Sequence, residues 1–261
     1  GGCPMLAQER HQIILELLRR DNVVKVVELA KLFNVSIETI RRDLDFLEKE
    51  ALLKKVYGGA VSIKKLGIEP SYTTREVANL EEKKAIGRKC SELIEDGDTI
   101  ILDLGTTTLE VAKNLIHKKD LTIITNSLNI AMELVKVQDF RVFLAGGLLR
   151  SVELTCSGFL TQEFINNFNV DKTIIGVGGI TLENGITDYH VDEAQARKAM
   201  IQRGNKVIAV ADYSKFGVKA FCNICTLDEV DVLITDWKVD ERTLKKYRNK
   251  KLEVIRAEKP E

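Results

Sequence analysis

Between residues 7 and 50 the apolar positions recur every three or four residues, the period of a helix that buries one face. Ile13, Ile14, Leu17 and Leu18 mark a first helix over 7–20, broken by Asp21 and Asn22. Val27, Leu29, Ala30 and Phe33 mark a short second helix over 26–33. Asn34 and Val35 then lead to Ser36, an N-cap for a third helix with Ile37, Ile40, Leu44, Leu47 and Ala51 on one face. The period shortens to two in LLKKVYGGAVSI, which predicts a β-hairpin turning at Gly58 and Gly59. A polar stretch without period follows, carrying Pro70, and reads as a linker over 63–80.

Beyond the linker the pattern becomes strand, turn and helix in repetition. Apolar strands are expected at 99–104, 121–126, 141–146, 172–178, 206–212, 231–236 and 252–256. Amphipathic helices are expected at 81–95, 107–116, 127–137, 161–168, 191–203 and 240–248. That alternation predicts a parallel sheet covered on both faces, an α/β Rossmann-like domain over 81–256, after a first domain over 5–62.

Bulk composition changes this picture little. The chain has 261 residues, ample for two domains, and no apolar run long enough for a bilayer span. With no secretory pattern at its start, it is expected to be cytoplasmic, without membrane contact. Formal net charge is zero, but residues 1–66 carry +3 and the remainder −3, a modest pointer to nucleic acid for the first domain. Five cysteines are too scattered for a disulfide framework. Cys222 and Cys225 form a CxxC in an apolar stretch with no second ligand pair, so they are expected to pack as small hydrophobes. No metal or cofactor is expected.

The chemistry of the first domain lies on its third helix. With Ile40 turned inward, Arg42 is on the outer face with Glu38, and Thr39 and Arg41 flank it. Two short helices, a tight turn and a basic pair in the opening turns of the next helix describe a helix-turn-helix, whose reading helix enters the major groove N-terminus first. Arginine can donate two parallel hydrogen bonds to guanine, so Arg41 and Arg42 are candidates for base reading or phosphate clamping. Asp43 leans toward the core and suits a structural salt bridge. Lys54, Lys55 and Tyr57 lie on the hairpin, where a wing would touch sugar-phosphate backbone. Ser36, Thr39, Ile40, Arg41, Arg42, Asp43 and Leu44 match S-x-x-T-[apolar]-R-[RK]-D-L, and the first domain thereby resembles the DeoR family of bacterial regulators.

In the second domain polar residues cluster after the strands, where parallel sheets bind ligands. Asp103, Gly105, Thr106, Thr107 and Thr108 close one strand and open a helix whose amides suit a phosphate group. Asn126 follows the next strand, Gly146 and Gly147 the third, and Gly178 and Gly179 the fourth. Lys215, in ADYSKFG, adds a positive charge. Neither GxGxxG nor a P-loop is present in the first of these turns. EEKKAIGRKC, DLGTTT, TNS, LAGG, DKTIIGVGGI and ADYSKFG resemble the same family's effector domain, which is similar to sugar-phosphate isomerases. The resemblance implies a ligand site made by Asp103, Gly105, Thr106, Thr107, Thr108, Asn126, Gly146, Gly147, Asp171, Lys172, Gly178, Gly179 and Lys215. Asp188, Glu193 and Lys198 stand in a less distinctive neighbourhood and suit helix capping equally well.

These readings together describe a winged helix-turn-helix regulator, with Ser36, Glu38, Thr39, Arg41, Arg42, Lys54, Lys55 and Tyr57 at DNA. Its expected partners are double-stranded operator DNA, a phosphorylated sugar or polyol as effector, and further copies of itself in a dimer or tetramer. It is expected to repress a sugar or polyol operon and to have no enzymatic activity. The alternatives are a sugar-phosphate isomerase or deaminase bearing a DNA-binding domain, and a protein adaptor that uses the same helices.

Overall fold

The computed structural model describes residues 6–21, 23–50, 52–62, 69–248 and 251–260. Ala51 and Cys3 lie outside them. The chain divides into two units, Gly1–Lys65 and Leu66–Glu261.

The first unit runs α1 (Ala7–Asp21), β1 (Val23–Lys25), α2 (Val26–Phe33), α3 (Ile37–Lys49), β2 (Leu53–Val56) and β3 (Gly59–Ser62). Ile14 and Leu18 of α1, Leu29 and Phe33 of α2, and Ile40, Leu44 and Leu47 of α3 meet in one core with Leu53 and Ala60. Helix α2 starts at Val26, which is buried, so its inward stripe is Val26, Leu29 and Phe33, and Val27 is turned to solvent. Ile37 is also exposed, being the first helical residue of α3. Asn34 takes the left-handed conformation, φ 52°, and its amide closes the end of α2 on Ala30 and Lys31 carbonyls.

The hairpin turns one residue earlier than its two glycines suggest. Val56 pairs with Gly59, so Tyr57 and Gly58 form the turn, and Gly58 supplies the positive φ of 80°. Gly59 has another task, because a Cβ there would stand 2.0 Å from the Val24 carbonyl oxygen. Strand β1 therefore packs directly beside β3, giving a sheet of order β1-β3-β2. Three residues are too few for β1 to announce itself by alternation.

The second unit begins with α4 (Tyr72–Val77), a helix within the stretch read as linker, and α5 (Leu80–Ser91). It continues through β4 (Thr99–Leu102), α6 (Thr106–Asn114), β5 (Thr122–Thr125), α7 (Leu128–Leu134), β6 (Arg141–Leu144), β7 (Leu148–Arg150), β8 (Thr155–Ser157) and α8 (Phe159–Asn166). The rest is β9 (Val170–Gly176), β10 (Gly179–Thr181), β11 (Gly185–Asp188), α9 (Val191–Ile201), β12 (Gly204–Val210), β13 (Cys222–Cys225), β14 (Val232–Thr235), α10 (Glu241–Arg248) and β15 (Glu253–Arg256).

Seven strands pair in parallel in the order β15-β14-β12-β9-β4-β5-β6. The strands read as continuous apolar runs because both faces are covered. Ile100, Leu102, Ile174, Ile208, Val210, Val232 and Ile234 pack on one face with α5, α6 and α7. Ile175, Val207, Ala209 and Leu233 point the other way, toward Ala194 and Ile201 of α9 and Tyr247 of α10. The chain moves outward from β4 to β5 and β6, then returns to β9 and runs outward on the other side. Strands β4 and β9 are thus neighbours at the reversal, and between their carboxyl ends such sheets leave a crevice for ligands. A hairpin, β7–β8, and a small antiparallel sheet, β10-β11-β13, follow the carboxyl ends of sheet strands.

Candidate functional site

Helix α3 has one anchored face and one open face. Ser36 accepts the Thr39 amide at 3.1 Å, and the two hydroxyls lie 2.8 Å apart, so the start of the helix is capped by its own signature residues. Asp43 is buried and accepts from Arg10 of α1 through both oxygens, Nε at 2.8 Å and Nη2 at 3.1 Å. His11 Nε2 lies 3.0 Å from the same carboxylate, and its ring stacks on Phe46. This clamp fixes the rotation of α3 and leaves Arg41 and Arg42 62% and 80% exposed. Glu38 stands 3.8 and 4.0 Å from them, at the limit of an ion pair. On the wing Lys54 is exposed and Tyr57 stands fully in solvent at the turn. Lys55 differs: its ammonium pairs with Asp45 and its amide donates to Glu48 at 2.7 Å, which binds the wing to α3.

At the reversal of the sheet the structure brings together residues from four elements. Asp103, just past β4, is buried and accepts the Gly176 amide of β9 at 2.9 Å and Arg197 Nε of α9 at 2.5 Å. Arg197 also donates to Asp188 at the end of β11. Burial opposes the Arg197 charge, but Asp103 and Asp188 outweigh it and hold the guanidinium protonated. Burial pushes the Asp103 carboxyl up, and Arg197 and the Gly176 amide offset part of that. Gly105, φ 137°, leads into α6, which has no side-chain cap. The amides of the first turn of α6 therefore lack a capping side chain, and Thr106, Thr107 and Thr108 are buried around them. Asn126, past β5, is buried and donates to the Cys156 carbonyl at 3.0 Å, and its Oδ1 has no partner among the described residues. Gly147 lies so close to α8 that a Cβ would stand 2.2 Å from Thr161 Oγ1, and that hydroxyl donates to the Gly146 carbonyl. Lys215 lies in a short turn after β12, opened by Asp212, which accepts the Ser214 amide at 2.9 Å.

A chain of ion pairs extends from this centre. Glu193 accepts from Arg150 of β7 at 2.5 Å, and Arg150 reaches Glu69 at 3.4 Å. Arg75 of α4 pairs with Glu69 at 3.1 Å and with Glu153 in the β7–β8 turn. His190 Nε2 lies 3.1 Å from Glu69. Burial, then nearby Asp188, pushes the Glu193 carboxyl up. Arg197, Arg150, Arg75 and Glu153 were not expected from sequence. Arg197 sits among Ala194, Ala196, Ala199 and Met200 on a helix buried on several sides, and an arginine in an alanine-rich stripe was the available signal.

Other expected site residues fall elsewhere. Asp171 and Lys172 lie at the amino end of β9, the opposite edge of the sheet. There Asp171 accepts the Thr99 amide at 2.9 Å and Lys172 pairs with Asp98 at 2.5 Å. A strand has two ends, and a charged pair before an apolar run marks the entering one. Gly178 and Gly179 are packing positions, where a Cβ would meet the Thr187 carbonyl oxygen at 2.8 Å and the Val218 carbonyl oxygen at 2.4 Å. Lys198 lines a separate cleft of about 460 Å³ with Glu183, Asn184 and Asn223. Cys225 is buried in β13 with its thiol pushed up to about 12 by burial, the reverse of a reactive thiolate.

Residues 10–66 match the family model of the DeoR-like helix-turn-helix domain, and residues 78–237 that of the DeoR C terminal sensor domain. The HTH-type transcriptional regulator GolR of Listeria innocua is 37% identical over 97% of this chain and 100% of its own length. The glycerol-3-phosphate regulon repressor of Escherichia coli is 37% identical over 89% of this chain and 92% of its own. Among solved structures, the ribose 5-phosphate isomerase of Methanocaldococcus jannaschii covers 53% of this chain and 55% of its own, at 15% identity and a TM-score of 0.40. That last likeness is too distant to speak to chemistry.

Proposed function

This chain belongs to the DeoR family of DNA-binding transcriptional regulators, and we propose that it represses a sugar or polyol operon in the cytoplasm under control of a phosphorylated effector. The observation that carries the DNA half is the exposed Arg41–Arg42 pair on a helix whose rotation Asp43 fixes. Ser36, Glu38 and Thr39 set the start of that helix at the groove, and Lys54 and Tyr57 meet the backbone beside it.

The effector half rests on the reversal of the sheet. The phosphate lies on the first-turn amides of α6, at Gly105, Thr106, Thr107 and Thr108, where the helix dipole favours negative charge. Lys215 supplies a cation, and the unpartnered Asn126 Oδ1 accepts from an effector hydroxyl. Gly146 and Gly147 shape the wall, while Asp103 and Arg197 hold β4, β9 and α9 in register beneath the ligand. The protein is not an enzyme in this reading, because Asp103, Asp188 and Glu193 are each engaged by an arginine and none is poised as a general base.

Two measurements test it. A thermal-shift panel of phosphorylated sugars and polyols, each with its unphosphorylated control, is expected to give a rise of several degrees for one phosphate ester. Silence across the panel removes the effector assignment, and turnover of any ester restores the enzyme reading. Replacing Arg41 and Arg42 by alanine is expected to abolish operator binding in fluorescence anisotropy, at about 1–3 kcal/mol per arginine. Retained binding by the double variant removes the assignment of the reading face.

A further inference from the structure

Exposed large apolar side chains are unevenly spread over the second unit. Phe143 and Leu144 of β6, Leu148 and Leu149 of β7, and Phe159 and Leu160 at the start of α8 are 40–71% exposed. Val152 and Leu154, in the turn between β7 and β8, add to the same stretch of eighteen residues, from 143 to 160. Strand β6 is also the last of its sheet and, among the described residues, pairs only with β5. An unpaired edge rimmed by apolar side chains invites association and is normally blunted by charge or proline. Here only Arg141 does so within the strand.

Size argues for one occupant. A large apolar side chain presents roughly 150 Å², so eight of them, about half exposed, offer on the order of 600 Å² of apolar surface. A stable protein interface buries about 800 Å² per partner, a little over half of it apolar. The patch therefore has the apolar area of a whole interface, at the upper end for a monomer surface. Operators read by helix-turn-helix proteins are arranged as paired half-sites, which requires two reading helices and hence two chains. An isologous contact lets one patch serve both copies.

We infer that the face formed by β6, the β7–β8 hairpin and the start of α8 is where a second copy of this chain docks. The hairpin then has two roles. Leu148 and Leu149 are exposed and offer apolar surface to the partner, while the long side chains of Arg150 and Glu153 reach Glu193, Glu69 and Arg75. On the proposed effector reading, the same hairpin joins the ligand site to the assembly.

Sedimentation velocity of the full chain tests the docking face, and does so without any effector. The wild type at about 20 μM is expected to sediment as a dimer or larger assembly of the 29.3 kDa chain. Leu148→Glu with Phe159→Glu is expected to weaken association by about tenfold or more, with unchanged circular dichroism. Should that pair fail to fold, Leu148→Ser with Phe159→Ser puts the same question more mildly. Phe221→Glu, an equally exposed apolar position outside the patch, serves as the control and is expected to assemble as the wild type does. A monomeric wild type overturns the inference, as does undiminished association of the folded patch variants. Loss of association in the control as well as in the patch variants also overturns it. A fall from tetramer to dimer in the patch variants alone supports it.

Discussion

Asp43 shows how one side chain can serve a function it does not perform. Its carboxylate is buried and accepts from Arg10 across 33 residues of sequence as well as lying beside His11, and removing one member of a buried ion pair is costly. Asp43→Ala is expected to cost the first unit about 3–5 kcal/mol, read as a lower urea midpoint for its transition. Replacing both residues by leucine is expected to recover most of that loss, since a buried pair contributes little over apolar packing. Lys83 of α5 makes a different case. It is buried, donates to the Arg75 and Ala78 carbonyls that end α4, and burial lowers its pKa from 10.5 to about 8. Between those values the unfolded chain keeps a proton that the native one releases, so stability rises with pH across that window. The rise is about 3 kcal/mol at roughly 1.4 kcal/mol per pH unit. In Lys83→Met the urea midpoint of the second unit is expected to lose that slope between pH 8 and 10.

Among the elements, the wing depends on its narrowest contact. Strand β1 lies against β3 only because Gly59 has no side chain, and a Cβ would sit 2.0 Å from the Val24 carbonyl oxygen. Gly59→Ala is expected to part the two strands and destabilise the first unit by about 1–3 kcal/mol, the range for overpacking. Urea unfolding reads that loss, and an unaltered midpoint would mean that β1 yields freely. The helices other than α4 and the parallel strands were legible in their periods, often within two residues of the observed ends. Strands β1, β7, β8, β10, β11 and β13 were not, because three or four residues show no alternation that distinguishes them from a loop.

For the molecule as a whole, the ion pairs from Arg75 through Glu69, Arg150 and Glu193 reach the neighbourhood of Arg197 and Asp103. They link the opening segment of the second unit with the reversal of the sheet, and Arg150 stands midway. Arg150→Met is expected to leave operator affinity without effector close to wild type. The change in affinity that effector causes is expected to shrink by about 0.5–2 kcal/mol. Anisotropy titrations with and without the thermal-shift ligand measure it, and an undiminished effect would place the coupling elsewhere.

Two kinds of information can be separated in this chain. Residues near one another in sequence carried the reading helix, its Ser36 cap, the inward lean of Asp43 and the polar turn before α6, because caps, periods and turns are settled within a few residues. The partners of those residues were not legible. Asp103 meets Arg197 across 94 positions and Arg75 meets Glu153 across 78, and no local pattern says which charge will arrive to neutralise which. For the same reason Asp171 and Lys172, close in sequence to the glycines after β9, belong to the far edge of the sheet. A buried charge is tolerated only where folding delivers its counterpart, so the ion pairs of this site are a property of the packed sheet and helices.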